Sequence, residues 1–335
     1  MTLPTRQIGP FIVSAIGLGC MNLSHAYGRR PSDEEGTALL NRALDLGVTL
    51  LDTAALYGLG ANERLVGKAV MHRRAEFTLA SKCVLDAVDG KRVLDGRPES
   101  IRRTLDGALE RLGTDHIDLY YLHRLDKKVP VEESVGELKR AVEAGKIGAI
   151  GLSEMGAATI RRAHAVHPVA AVQSEYSPMV RNPDVAVLDT CRELGIGFVA
   201  FSPVARGMLA RGVHDDNYEA GDIRLHMPRF LGDNLRHNLA VVAKFDALAA
   251  DAGMTSAQLA LGWVLARGPH IVAIPGTRSL AHLEENVGAA TVNVSDDLVK
   301  AVDAVFDGTI RGPRYLAPMQ AQIDTEILPG EELAA

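Results

Sequence analysis

No stretch of the 335 residues approaches the roughly 18 consecutive apolar residues that a membrane span requires, so the chain is expected to be soluble. Cysteine is scarce, and Cys20, Cys83 and Cys191 show neither close pairing nor the spacing of a metal site. That argues against a disulfide framework or a structural metal and fits reduced thiols in the cytosol. Blocks of like charge are also missing: the formal net charge of -6 is dispersed along the chain. Nucleic acid and anionic membranes are therefore not expected as partners, although a small anionic ligand needs only a local basic site. The first eleven residues contain Arg6, Gly9 and Pro10 where an export signal needs an unbroken apolar stretch, so a cytoplasmic location is expected. No apolar run leads into a Gly-x-Gly-x-x-Gly turn, which argues against an open doubly wound dinucleotide-binding sheet.

What the chain has is repetition. An amphipathic helix, a glycine at its C-terminal end and a short apolar strand follow one another, with Gly47, Gly113, Gly145 and Gly195 as punctuation. One helix starts at Pro98 and places Ile101, Leu105, Leu109 and Leu112 on one face. Another opens with a capping box at Ser32–Glu35. Strands are expected at 14–18, 48–52, 77–82, 117–122, 147–151, 169–173, 197–201 and 271–275. Their near-continuous apolar character suits parallel strands covered by helices, and eight such units suggest an α/β fold closed as a (β/α)8 TIM barrel. Residues 4–13 look like an N-terminal β-hairpin turning at Gly9-Pro10, residues 203–237 a long irregular connection at the C-terminal face, and residues 308–335 a tail. The whole chain, 1–335, reads as one barrel domain.

Three of the expected strands stop at polar side chains. Asp52 ends one, Lys82 the next and His123 the next, with Tyr57 in the turn after Asp52. Chemistry in a parallel barrel sits at the carboxyl ends of the strands. This set is what carbonyl reduction needs: a hydride delivered to carbon and a proton delivered to the developing alkoxide. Tyr57 is the acid in this reading. A phenol titrates near ~10, and the Lys82 ammonium is expected to lower that value by favouring the phenolate. Asp52 holds the lysine charge, and His123 hydrogen-bonds the substrate oxygen. Taken singly, each residue has an ordinary structural explanation; packing gives no reason for their convergence. Lys82 as a Schiff-base nucleophile is a further possibility, against which Asp52 and Tyr57 argue, since they imply a charged lysine.

With these residues in place, the sequence resembles the aldo-keto reductase superfamily from Ile16 to about Asn286. The resemblance rests on Gly17-Leu18-Gly19-Cys20-Met21, on Asp52-Thr53-Ala54-Ala55-Leu56-Tyr57-Gly58 with Asn62-Glu63, on Ala80-Ser81-Lys82, and on Tyr121-Leu122-His123. It implies a catalytic tetrad of Asp52, Tyr57, Lys82 and His123 in an (α/β)8 barrel that uses NADPH to reduce a small carbonyl substrate. It also places Gly19, Cys20, Met21 and Asp52 beside the cofactor, Ser153 and Gln173 on the nicotinamide carboxamide, and Phe201 against the nicotinamide ring. Ser202, Pro203, Arg206, Gly207 and Met208 fall in a pyrophosphate strap. Gly276, Thr277, Arg278, His282, Glu285 and Asn286 fall at the adenosine end, where Arg278 suits a 2′-phosphate and favours NADPH over NADH. Glu154 and His282 depart from the common family residues. The same resemblance allows a second role, an NADPH-binding redox-sensing regulatory subunit with little turnover. Cys83, Trp263 and the Asp215, Asp216 and His226 set read as structural. Met21, Tyr27, Met227 and Phe230 suggest substrates with some apolar surface.

Overall fold

The computed structural model describes residues 3–88 and 91–334. Its centre is a parallel sheet of eight strands: β3 (Leu18–Gly19), β4 (Leu50–Asp52), β5 (Thr78–Cys83), β8 (Ile117–Leu122), β9 (Ile147–Ser153), β10 (Val169–Glu175), β11 (Gly197–Phe201) and β12 (Ile271–Ile274), neighbours in that order. The sheet closes on itself. Ile16 bridges Ala273 in parallel, and the Gly17 N–H donates to the Ala273 carbonyl at 2.9 Å. The (β/α)8 TIM barrel expected from the sequence is the fold observed. Helices α1 (Asp33–Asp45), α2 (Ala61–Val70), α3 (Pro98–Leu112), α4 (Val131–Glu143), α5 (Ala157–Val166), α6 (Val187–Leu194), α7 (Gly232–Asp251), α8 (Ser256–Ala266), α9 (Leu280–Gly288) and α10 (Asp296–Phe306) alternate with or follow the strands. No helix among the described residues is long and apolar enough to cross a membrane.

The local signals act as their chemistry dictates. Ser32 Oγ accepts the Glu35 N–H at 3.2 Å while the Glu35 carboxylate accepts the Ser32 N–H at 2.8 Å, so two orphan donors at the start of α1 are satisfied together. Helix α3 begins on Pro98 and buries Ile101, Leu105, Ala108 and Leu112. It ends because Gly113 turns the chain into the left-handed region, φ 69°, with open space around it; the glycine is there for handedness, not for room.

Strands β1 (Thr5–Ile8) and β2 (Phe11–Ser14) form the antiparallel N-terminal hairpin. Ile8 and Val13 are fully buried and pack with the inward-facing Leu50, Ala80, Leu119, Ala171, Val199 and Val272, so the hairpin plugs one end of the barrel. Gly9 serves two demands at once. Its φ is 53°, and a Cβ there would lie 2.5 Å from Ala170 Cβ.

Several boundaries differ from the sequence reading. The first barrel strand is Leu18–Gly19 rather than 14–18, because Ser14 completes the hairpin instead. The connection at 203–237 is irregular only to Leu231: it folds as short 3₁₀ turns, and α7 starts at Gly232. A second hairpin, β6 (Leu85–Val88) and β7 (Lys91–Leu94), stands between β5 and α3 and is not anticipated. The tail carries the short helix α11 (Ala317–Gln320) and packs against the barrel: the Asp324 N–H donates to the Glu154 carbonyl at 3.1 Å.

Candidate active site

Strand periodicity positions the site. Side chains alternate between the barrel interior and the surrounding helices, so inward positions recur every second residue. Leu50, Ala80, Leu119, Tyr121, Ala149, Ala171 and Val199 face inward. Continuing each series to the strand's carboxyl end gives Asp52, Lys82, His123, Ser153, Gln173 and Phe201. Each is the last inward position of its strand or the first beyond it, except Gln173, which is followed by Glu175 at the end of β10. Cross-strand register brings them level: Gly19 pairs with Asp52, Lys82 with Tyr121, and Ser153 with Gln173.

Lys82 is completely buried and Asp52 nearly so. The Lys82 ammonium donates to Asp52 Oδ1, to the Thr53 carbonyl at 2.9 Å and to the Tyr57 hydroxyl at 3.4 Å. Gln173 donates to the other Asp52 oxygen at 2.8 Å, so both carboxylate oxygens have a partner. Burial pulls the Lys82 pKa down, but Asp52 first and then Tyr57 outweigh it, and the lysine stays protonated. The tyrosine departs from expectation. Its pKa is raised, because burial outweighs the opposing pull of Lys82 and Asp52 adds to the rise. Tyr57 is therefore a phenol, not a phenolate, at neutral pH.

His123 meets Tyr57 edge to face, ring centroids 5.9 Å apart. Burial, then Arg124 and Lys82, hold its pKa well below the usual imidazole range, so the ring is neutral. Its Nδ1 is buried with no hydrogen-bond partner among the described residues.

These groups line one end of a cleft of about 540 Å³. Lys82 alone of the four stands behind its wall. The cleft continues past Ser153, Gln173 and Phe201, under Ser202, Pro203, Arg206 and Gly207, to Gly276, Thr277, Arg278, His282, Glu285 and Asn286. Gly19 and Met21 line it as well. Cys20 and Met208 do not: both are buried in the core behind the wall. Met227 and Phe230 are core residues too, leaving Met21 and Tyr27 from that group on the cleft. Two glycines keep the floor low. A Cβ on Gly276 would lie 2.7 Å from Asn22 Oδ1, and one on Gly19 would lie 2.9 Å from the Ile274 carbonyl oxygen.

Arg206 lines the cleft but is itself largely buried, with its guanidinium already paired. It donates to Glu175 at 2.9 Å and to the Tyr315 hydroxyl at 3.0 Å. Arg314, from the tail, donates to Glu175 at 3.0 Å and to Glu154 at 2.7 Å. The charge of Glu154 is thus met by the tail, which explains how the barrel accommodates a glutamate at that position. Burial alone would raise the Glu175 pKa, yet Arg206 and Arg314 hold it at about 2. A carboxylate whose folded pKa is depressed adds stability above its unfolded value near 4.5, and that contribution disappears as pH falls toward 2. In urea unfolding, the parent is expected to lose about 3 kcal/mol more than Glu175→Gln over this window. Parallel losses in the two proteins would contradict the assignment.

The site includes residues that the sequence reading does not single out. Arg124 follows His123 and donates to the His123 carbonyl at 2.6 Å and to Ser153 Oγ at 3.3 Å. Arg92, on β7, His25, Tyr315 and Met319 also line the cleft. Adjacency to a strand end is an available signal for Arg124; for Tyr315 and Arg314 the sequence offers only their place in the tail, expected to supply pocket walls. Cys83 is buried with its thiol pKa pushed up by desolvation, as suits a structural cysteine. Asp215 accepts the Asn217 N–H in a local turn, and Asp216 accepts the Gly232 N–H at the start of α7.

Residues 15–307 match the model of the aldo/keto reductase family. The chain belongs to that family. An aldo-keto reductase of Schizosaccharomyces pombe, yakc [NADP(+)], is 44% identical over 94% of this chain and 95% of its own length. Aldo-keto reductase str7 of Strobilurus tenacellus is 40% identical over 98% of this chain and all of its own. Among solved structures, a glycerol dehydrogenase from Gluconobacter oxydans superposes with a TM-score of 0.83 at 28% identity, covering 92% of this chain and 97% of the other. An aldo/keto reductase from Klebsiella pneumoniae in complex with NADP and acetate gives 0.70 at 25% identity, covering 94% and 99%. As a member of the aldo/keto reductase family, the protein is an oxidoreductase.

Proposed function

We propose that this protein reduces aldehydes or ketones to alcohols with NADPH, and that Tyr57 is the general acid. The observation that carries the reading is the meeting of a protonated phenol, a buried lysine–aspartate pair and a neutral imidazole at one end of a long cleft. The yakc relative, named as an NADP(+) enzyme, and the Klebsiella structure, which contains NADP, support the cofactor.

The residues present fit such a cofactor. Gly19 and Gly276 hold the floor where a side chain would intrude. At the far end, Ser279 caps α9, and His282, Glu285 and Asn286 share one helix face on the cleft. Three arginines line this half. Arg206 is paired with Glu175 and Arg224 with Asp222, whereas Arg278 has no carboxylate partner among the described residues. Arg278 donates instead to backbone carbonyls of Tyr27 and Arg29, and so is the cation available to a 2′-phosphate.

Bound NADPH supplies a hydride for the carbonyl carbon. The protein's part is the proton and the field around it. His123 donates an imidazole N–H to the carbonyl oxygen and fixes its position. Tyr57 gives its phenolic proton to that oxygen as negative charge gathers there. The Lys82 ammonium steadies the phenolate left behind, and Asp52 with Gln173 keeps the ammonium charged and in place. Ser153 and Phe201 orient the nicotinamide.

The test is a spectrophotometric screen of NADPH and NADH oxidation against aldehydes, ketones and sugars. Turnover with NADPH is expected; tight NADPH retention without turnover would favour a sensing role instead. Arg278→Ala is expected to raise KM for NADPH by about 10- to 100-fold, the worth of a charge-assisted phosphate contact, and to change KM for NADH little. Equal effects on the two cofactors would remove Arg278 from the phosphate site.

A further inference from the structure

The substrate end of the cleft holds more positive charge than carbonyl reduction requires. Arg124 is half-buried, and its two hydrogen bonds, to the His123 carbonyl and Ser153 Oγ, both use Nη1. The rest of its guanidinium fork has no acceptor among the described residues. Arg92, an exposed residue of β7, lines the same cleft. In β7, Arg92 and Leu94 share a strand face, and Leu94 packs on the cluster of Leu56, Tyr57 and Leu85, which aims Arg92 over the tyrosine. The two arginines feel each other: desolvation first, then the charge of Arg124, lowers the Arg92 pKa.

No ion pair neutralises either arginine among the described residues. Among the described residues, the carboxylates on the cleft lining are Asp52 and Glu285. Asp52 is already engaged by Lys82 and Gln173, and Glu285 lies on α9 beyond the strap. Two like charges lining one end of the cleft, with the Asp52 carboxylate there already committed, form a site suited to an anion. We infer that the carbonyl substrate carries a carboxylate, which Arg92 and Arg124 receive while Tyr57 and His123 engage its carbonyl oxygen. This rests on the proposed reduction and narrows its substrate class. The apolar walls, Met21, Leu56 and Met319, then face the carbon skeleton between the two polar ends.

The test compares a matched pair, 4-carboxybenzaldehyde and benzaldehyde, in NADPH-dependent reduction by the parent, Arg92→Met and Arg124→Met. Alongside it, calorimetry compares 4-carboxybenzyl alcohol with benzyl alcohol binding to the same proteins without cofactor. A charge-assisted contact predicts that the parent prefers the carboxylated aldehyde by about 10- to 100-fold in kcat/KM, chiefly through KM. The preference is expected to shrink in high salt and to collapse toward unity in both variants, with the binding preference following. Reduction of both aldehydes with equal kcat/KM would overturn the carboxylate site and leave the proposed reaction standing. Absence of turnover with preferential binding of the carboxylated alcohol, lost in Arg92→Met, would do the reverse. Variants that depress both aldehydes equally would show that the arginines hold the site together and do not select the substrate.

Discussion

Substitution of Tyr57 by phenylalanine is expected to lower kcat/KM for carbonyl reduction by about 10²- to 10⁴-fold, the range for removing a general acid, and to leave the fold intact. The hydroxyl receives one hydrogen bond, from Lys82 at 3.4 Å, while the ring packs with Ala54, Leu56 and Leu85, contacts that phenylalanine preserves. The loss therefore falls on chemistry and not on NADPH binding. The pH profile carries the same information. Because burial raises the Tyr57 pKa, the acid form persists through neutral pH, and reduction should not decline until pH exceeds the ordinary phenol range. A decline centred near neutrality would point to a different donor.

Lys82→Met is expected to be costly in two ways. It strands the Asp52 carboxylate in the barrel with Gln173 as its remaining side-chain donor, and breaking a buried pair from one side typically costs about 3–5 kcal/mol. It also removes the cation proposed to stabilise the phenolate. The double variant Asp52→Asn/Lys82→Met separates the two effects. With no charge left behind, most of the stability is expected to return, measured by urea unfolding at neutral pH, while turnover stays low. Recovery of activity together with stability would mean that the pair serves only the fold.

Much of this site was legible because barrel chemistry is confined to strand ends. Asp52, Lys82 and His123 stand out as polar residues closing apolar runs, and they arrive at the same level because each continues an inward-facing series. The direction of the Tyr57 shift was not legible. A sequence shows that an ammonium is near a phenol, but not that the phenol is buried deeply enough for desolvation to win. The sequence places Arg206 in the strap but does not show Glu175, at the end of the neighbouring strand β10, or Tyr315, in the tail, which meet it. The β6–β7 hairpin does carry a sequence signal, an Asp-Gly dipeptide between two β-favouring runs. The C-terminal segment was harder. Arg314 and Tyr315 belong to no periodic pattern, and their role follows from buried partners on β10 and beside the end of β9.

The measurement that bears most directly on the proposed chemistry is a single turnover. NADPH-loaded parent and Tyr57→Phe would be mixed with the same aldehyde in a stopped-flow instrument, after NADPH affinity has been determined for each by fluorescence titration. Equal affinities with hydride transfer slowed by about 10²-fold or more in the variant are expected of a phenol that donates the proton. Equal rates of hydride transfer in the two proteins would contradict it.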